Sequence, residues 1–124
     1  VIYFTAAGLF DILAENTFGK RQDKDSDVFE HIYDCDLLII DDLGTELPNS
    51  FTVSQLFICL NERILRQKST IISTNLALED IKSIYSERTF SRISSNYTIL
   101  RITGDDIRIQ KKLLNLGGTN DVTP

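Results

Sequence analysis

The sequence predicts an α/β layered fold built on a mainly parallel sheet. Short apolar runs ending in polar residues, "VIYFT", "DLLIIDD" and "STIISTN", are separated by segments with helical periodicity. The run Leu37–Ile40 is continuously aliphatic, as in a parallel strand covered on both faces. No repeat or second domain divides the 124 residues, a length suited to one domain with a real core.

Each element has its own warrant. Residues 1–5 read as a buried strand, and Thr5 caps a helix running to about Thr17 with Leu9, Ile12 and Leu13 on one face. "GKRQDKDS" is polar and turn-rich, after which Val28, Phe29, Ile32 and Tyr33 mark a short amphipathic helix. "DLLIIDD" is the second strand. Beyond the loop "LGTELPNS", a helix over Thr52–Gln67 places Val53, Leu56, Phe57, Leu60 and Ile64 at helical spacing. "STIISTN" is the third strand, Leu78–Ser95 is helical in two pieces, and "YTILRIT" is a fourth strand. Residues 115–124, with their Gly and polar content, read as a flexible C-terminal tail.

Composition narrows the class. A hydrophobic content of 42% excludes a disordered chain, and a net charge of −5 excludes a stand-alone duplex-DNA binder. No apolar run approaches the ~20 residues of a membrane span, so a cytoplasmic protein without membrane contact is expected. Cys35 and Cys59 lack a C-x-x-C spacing and are expected as free thiols, while the single His31 supplies neither a zinc set nor a Ser-His-Asp arrangement. The chain contains no Met and begins inside a strand pattern, which makes it part of a longer protein by expectation.

In parallel sheets, ligands bind outside the carboxyl ends of the strands, here "DD" and "STN". Asp41 and Asp42 repel each other unless a cation, a proton or solvent relieves them. A phosphate-bound magnesium would do so, with Asp41 holding the ion and Asp42 orienting or deprotonating an attacking water. The plainer reading is an acidic pair that caps a loop or sits in water. Asn75 closes the next strand, where its amide would lie beside the pair and hold a water or a phosphate oxygen, although Thr-Asn after a strand is also ordinary turn chemistry. Arg88 and Arg92, four apart, share a helix face opposite Phe90 and Ile93; they are either solvated or an arginine finger for a neighbouring subunit's nucleotide. Arg108 would approach nucleotide within the same subunit, while Asp105 and Asp106 suit the start of a last helix carrying Lys111 and Lys112.

Taken in order, "LLIIDDLGTE", "NERI", "STIISTNL", "ERTFSRI" and "GDDIRIQKK" resemble the ATPase domain of DnaC/DnaI-type replicative helicase loaders, which group with the IstB-like ATPases in the AAA+ class. The resemblance runs to about Leu114 and implies an AAA+ P-loop NTPase-type three-layer sandwich, truncated at its N-terminus, over residues 1–114. It further implies that "LLIIDD" looks like the Walker B strand, with Asp41 for magnesium and Asp42 in the place of the catalytic acidic residue. Asn75 would be sensor 1, Arg92 the arginine finger with Arg88 next, and Arg108 the sensor 2 arginine. The implied cofactors are ATP and Mg2+; the implied partners are a replicative helicase, single-stranded DNA and further copies of the protein. Many AAA+ proteins carry Glu where this chain has Asp42.

The phosphate loop G-x-x-x-x-G-K-[ST] is absent from the 124 residues: at Gly19-Lys20, Arg21 replaces Ser or Thr and Ala14 replaces the first Gly. The resemblance puts that loop, and a central strand between those ending at Asn75 and Thr103, upstream of Val1. Negligible hydrolysis by this chain alone and an exposed sheet edge are expected. Three other readings compete. An IstB-type transposition helper shares the fold. A phosphoacceptor receiver domain needs an Asp and a Lys where Ser73-Thr74-Asn75 and Arg101-Ile102-Thr103 stand. A non-catalytic module would use the same surfaces only for binding.

Overall fold

Thr5 ends the first strand and starts the first helix, because its hydroxyl accepts the Gly8 N–H at 3.1 Å. The computed structural model describes the backbone of residues 1–18 and 25–103 and the side chains of residues 1–15 and 28–103. The elements are β1 (Ile2–Thr5), α1 (Ala6–Phe18), α2 (Asp25–Asp34), β2 (Leu37–Leu43), α3 (Ser50–Leu65), β3 (Ser69–Thr74), α4 (Leu78–Tyr85) and α5 (Glu87–Asn96). α3 begins two residues before the expected Thr52. The cause is a reciprocal cap: Asn49 accepts the Thr52 N–H and Thr52 accepts the Asn49 N–H, both at 2.9 Å. The expected break between the last two helices falls at Ser86, whose φ of 92° stops α4 while its Oγ accepts the Thr89 N–H that opens α5.

The three strands are parallel in the order β1-β2-β3. Register aligns Phe4, Ile40 and Ile72 in one row and Tyr3, Ile39 and Ile71 in the next, so successive rows face opposite sides. Leu38 and Ile40 are fully buried in one cluster with Leu9 and Leu13 of α1, Ile32 of α2, Leu56 and Leu60 of α3, and Tyr85 of α4. Each such Leu or Ile contributes roughly 1.5–3 kcal/mol of transfer free energy. Cys59 lies in the same core, where burial pushes its thiol up to about 12 and keeps it protonated; both cysteines are free.

Two expectations need correcting. The opposite sheet face is not covered among the described residues: Tyr3 is 57% and Ile71 51% exposed. A continuous aliphatic run reports that both faces tolerate burial, not that both are buried. The expected fourth strand does not form either, since residues 97–103 carry no regular structure. A strand exists only through its ladder, and the edge of β3 away from β2 is unpaired among the described residues. Between that edge and residues 96–102 runs a groove of about 960 Å³, lined by Ile71, Ser73, Asn75, Tyr97 and Ile99 among others. Ile99, Leu100 and Ile102 are correspondingly exposed.

Candidate functional site

At the carboxyl end of the sheet the β2–β3 register slips. Ile40 pairs with Ile72 and Leu43 with Thr74, so Asp41 and Asp42 together oppose the single residue Ser73. This is a β-bulge, a device that re-aims a side chain and interrupts the ladder. Asp42 absorbs it with a left-handed φ of 57°. Asp and Asn occupy that region more readily than other side chains, which gives a backbone reason for Asp here.

The bulge also answers why two acids stand together. The Ser73 hydroxyl donates to Asp41 Oδ1 and accepts the Asp42 N–H at 3.0 Å. From the other side, the Tyr3 hydroxyl donates to Asp41 Oδ2 at 2.5 Å. Asp41 therefore stays ionised easily: the Ser73 hydrogen bond, then that of Tyr3, holds its carboxyl below the usual aspartate range. The same contact raises the Tyr3 phenol, so the two directions agree. The Asp42 carboxylate is exposed and makes no hydrogen bond or ion pair among the described residues.

The loop after the acids is braced. Thr45 donates its N–H (3.3 Å) and its hydroxyl (2.8 Å) to the Asp42 carbonyl. Glu46 accepts the Gly44 N–H at 3.0 Å and the hydroxyl of the buried Tyr85, whose phenol is raised first by burial and next by that carboxylate. Gly44 has φ 104°, and a Cβ there would meet Leu76 Cδ1 at 2.5 Å.

The predicted residues are only partly gathered. Asp41 and Asp42 are adjacent, and Asn75 lies at the same end of the sheet, just past the Leu43–Thr74 pair, with an exposed side chain. The side chain that touches the acids is Ser73, two residues earlier. Arg88 and Arg92 are both exposed on α5 and contact neither acid. The Arg88 guanidinium stacks 3.9 Å from the centroid of the Phe57 ring, whereas the Arg92 side chain has no such engagement among the described residues. Arg108 lies outside the described residues, as do Gly19 and Lys20. Sequence reasoning passed over Tyr3, Ser73 and Glu46; the strand alternation that puts Tyr3, Asp41 and Ser73 on one face becomes readable only with the register known, and Glu46, in the loop after β2, has no such signal.

Among the described residues no group of three His, Cys, Asp or Glu side chains can hold a metal by itself. One oriented carboxylate with a second beside it does match the sparse oxygen set magnesium uses when phosphates and waters supply its other ligands. The sequence profile of the IstB-like ATP binding protein family matches residues 1–115. The chain belongs to this family. A crystal structure of the DnaC helicase loader is similar to this IstB-like domain with a TM-score of 0.70 and 24% identity, covering 82% of this chain. The chain matches 60% of that structure's length, and the likeness establishes a shared α/β fold. A search of curated proteins finds no match.

Proposed function

We propose that residues 1–114 form part of an AAA+ ATPase domain that binds ATP and Mg2+ at the carboxyl ends of β2 and β3. The whole protein would be a cytoplasmic, oligomeric loader of a replicative helicase onto single-stranded DNA. One observation carries the reading: the two strands that flank β2 deliver hydroxyls to both oxygens of Asp41, beside an Asp42 in the bulge whose carboxylate is unpaired among the described residues. Membership in an ATP-binding family and a fold shared with a helicase loader support it. No helix among the described residues is long and apolar enough to cross a membrane.

In this mechanism Asp41 would hold the cation, through a carboxylate that the Ser73 and Tyr3 hydroxyls orient. When bound, magnesium would neutralise charge on the terminal phosphates. Asp42 accepts a proton from the attacking water, for which its unpaired carboxylate leaves both oxygens available. Asn75 holds the water or a γ-phosphate oxygen. Arg92 reaches a nucleotide on the neighbouring subunit; Arg88, committed to Phe57, is the second choice. Arg108 contacts nucleotide in its own subunit. Since the 124 residues lack a G-x-x-x-x-G-K-[ST] loop, turnover requires phosphate-binding residues outside them.

In the full-length protein, Asp42→Asn should lower ATP hydrolysis by at least about a hundredfold while ATP binding persists. Arg92→Ala should also lose hydrolysis, then regain it when mixed with Asp42→Asn subunits, since each supplies what the other lacks. Wild-type turnover by Asp42→Asn would leave a non-catalytic binding module. A second reading, a helper ATPase for DNA transposition, is equally compatible with the match to the IstB-like ATP binding family. Capture of a ring helicase by the full-length protein separates the two.

A further inference from the structure

We propose that Ser73 is the positioning residue of the acidic pair, the side chain through which β3 sets both Asp41 and Asp42 for a nucleotide-bound divalent cation. The inference rests on the reading of Asp41 as the magnesium carboxylate. It adds a residue that neither the acidic motif nor the asparagine at the strand's end identifies.

Proton accounting fixes the direction of every bond at Ser73. Its Oγ accepts the Asp42 N–H at 3.0 Å, so its single proton is free to go to Asp41 Oδ1. Tyr3 holds the second oxygen of the same carboxylate from the opposite strand. The carboxylate plane is thereby set from both sides, and each oxygen keeps a lone pair for a cation or its water. The bond to the Asp42 N–H lies inside the bulge, where Ser73 is the one residue opposing two. It replaces the ladder bond that the bulge interrupts, and so ties the left-handed Asp42 to β3. A single hydroxyl thus sets the orientation of the proposed metal ligand and the backbone of the proposed base. Supports of this kind, which orient a ligand without touching the ion, typically govern metal affinity by 10–100-fold.

A merely structural serine would make a different prediction: its loss would loosen the strand pair and weaken nucleotide binding with or without metal. The test uses the full-length protein, with Mn2+ as the paramagnetic stand-in for Mg2+ and its binding in the presence of ATP followed by electron paramagnetic resonance. Nucleotide affinity in EDTA is measured alongside. Ser73→Ala should raise the half-saturating Mn2+ concentration by about tenfold and leave the EDTA affinity unchanged. Ser73→Thr, which keeps the hydroxyl, should restore the wild-type value. Ser73→Cys, similar in size but a weak donor, should behave like Ser73→Ala and serves if that variant fails to fold. Asp41→Asn is measured in parallel. If Asp41→Asn weakens Mn2+ binding and the Ser73 variants do not, the positioning role is overturned and the magnesium reading stands. If Asp41→Asn has no effect, that reading falls and takes this one with it. An equal loss with and without metal in Ser73→Ala also overturns the proposal.

Discussion

At the amino end of β2 and β3 sits Arg63, fully buried; at the carboxyl end sits Asp41, half-buried and open toward solvent. The arginine spends every nitrogen on neighbours: Nε donates to Thr70 Oγ1 at 2.8 Å, Nη1 to the Ile32 carbonyl at 2.7 Å, and Nη2 to the Ser69 carbonyl at 2.6 Å. Nη1 also reaches Cys35 Sγ at 3.3 Å. Among the described residues no carboxylate pairs with it, so carbonyl dipoles carry its charge. One side chain thus fastens the C-terminal part of α3 to the end of α2 and the start of β3. The carboxyl end is the reverse case, with a bulge, two positive-φ residues and an unpaired carboxylate in four positions, Asp41–Gly44. Left-handed backbone occurs at both ends, at Asp42 and at Gln67 before β3; what separates them is polar capacity, left unused in the Asp42 carboxylate at the end where chemistry is proposed and fully spent by Arg63 at the end that holds the sheet together.

That contrast is broken most severely by removing the arginine. Arg63→Ala should destabilise the protein by about 3–5 kcal/mol, because a large buried side chain is lost together with its hydrogen bonds to the Ile32 and Ser69 carbonyls. Arg63→Lys should recover only a minor part, since one ammonium cannot span three acceptors arranged for a planar fork. Denaturant unfolding followed by circular dichroism reads both. A loss below roughly 1 kcal/mol for Arg63→Ala would mean that the amino end is held by other contacts.

At the opposite end the corresponding experiment is Gly44→Ala, with an expected cost of about 1–3 kcal/mol from the left-handed φ and the overlap with Leu76. The two causes separate in a cycle. Adding Leu76→Ala should return the steric part and leave the backbone part, giving a favourable coupling between the mutations. Strict additivity would show that Leu76 moves aside at no cost.

The sequence made most of the helices and strands legible, because their period follows from which residues are buried. Leu38, Ile40, Leu56 and Leu60 are core residues at the expected spacings. The acidic pair was legible as an anomaly, a costly feature at the end of an apolar run. What escaped was set across strands. Ser73 lies beside Asp41 only because β3 pairs with β2, and holds the Asp42 N–H only because a bulge slips the register; Tyr3 reaches Asp41 only because β1 lies beside β2, and Arg63 sits in "NERI" as one more helical charge until packing turns it inward. The fourth strand failed for the same reason in reverse: "YTILRIT" has strand composition, but strand structure requires a neighbour that the described residues do not supply.

The smallest expected effect, and the one most specific to the carboxyl end, is that of Tyr3→Phe on acid stability. Asp41 is held below its ordinary value near 3.8, first by Ser73 and then by Tyr3. A carboxyl with a lowered folded-state pKa contributes stability that is fully present above the unfolded value and is lost as pH falls through the lower, folded value. Removing the Tyr3 hydroxyl takes away the weaker of the two hydrogen bonds and moves Asp41 partway back, so the contribution shrinks without vanishing. The charged neighbour facing Tyr3 and Asp41 is Asp42, which acts equally in both proteins. Thermal midpoints of wild type and Tyr3→Phe should therefore differ slightly at neutral pH, with the variant lower, and converge as the solution is acidified below the folded value. Carboxyl-carbon NMR of Asp41 should show its titration midpoint higher in the variant. A difference that stays constant from neutral to acid pH would make Tyr3 a packing residue on the open sheet face, and would leave Ser73 alone to orient Asp41.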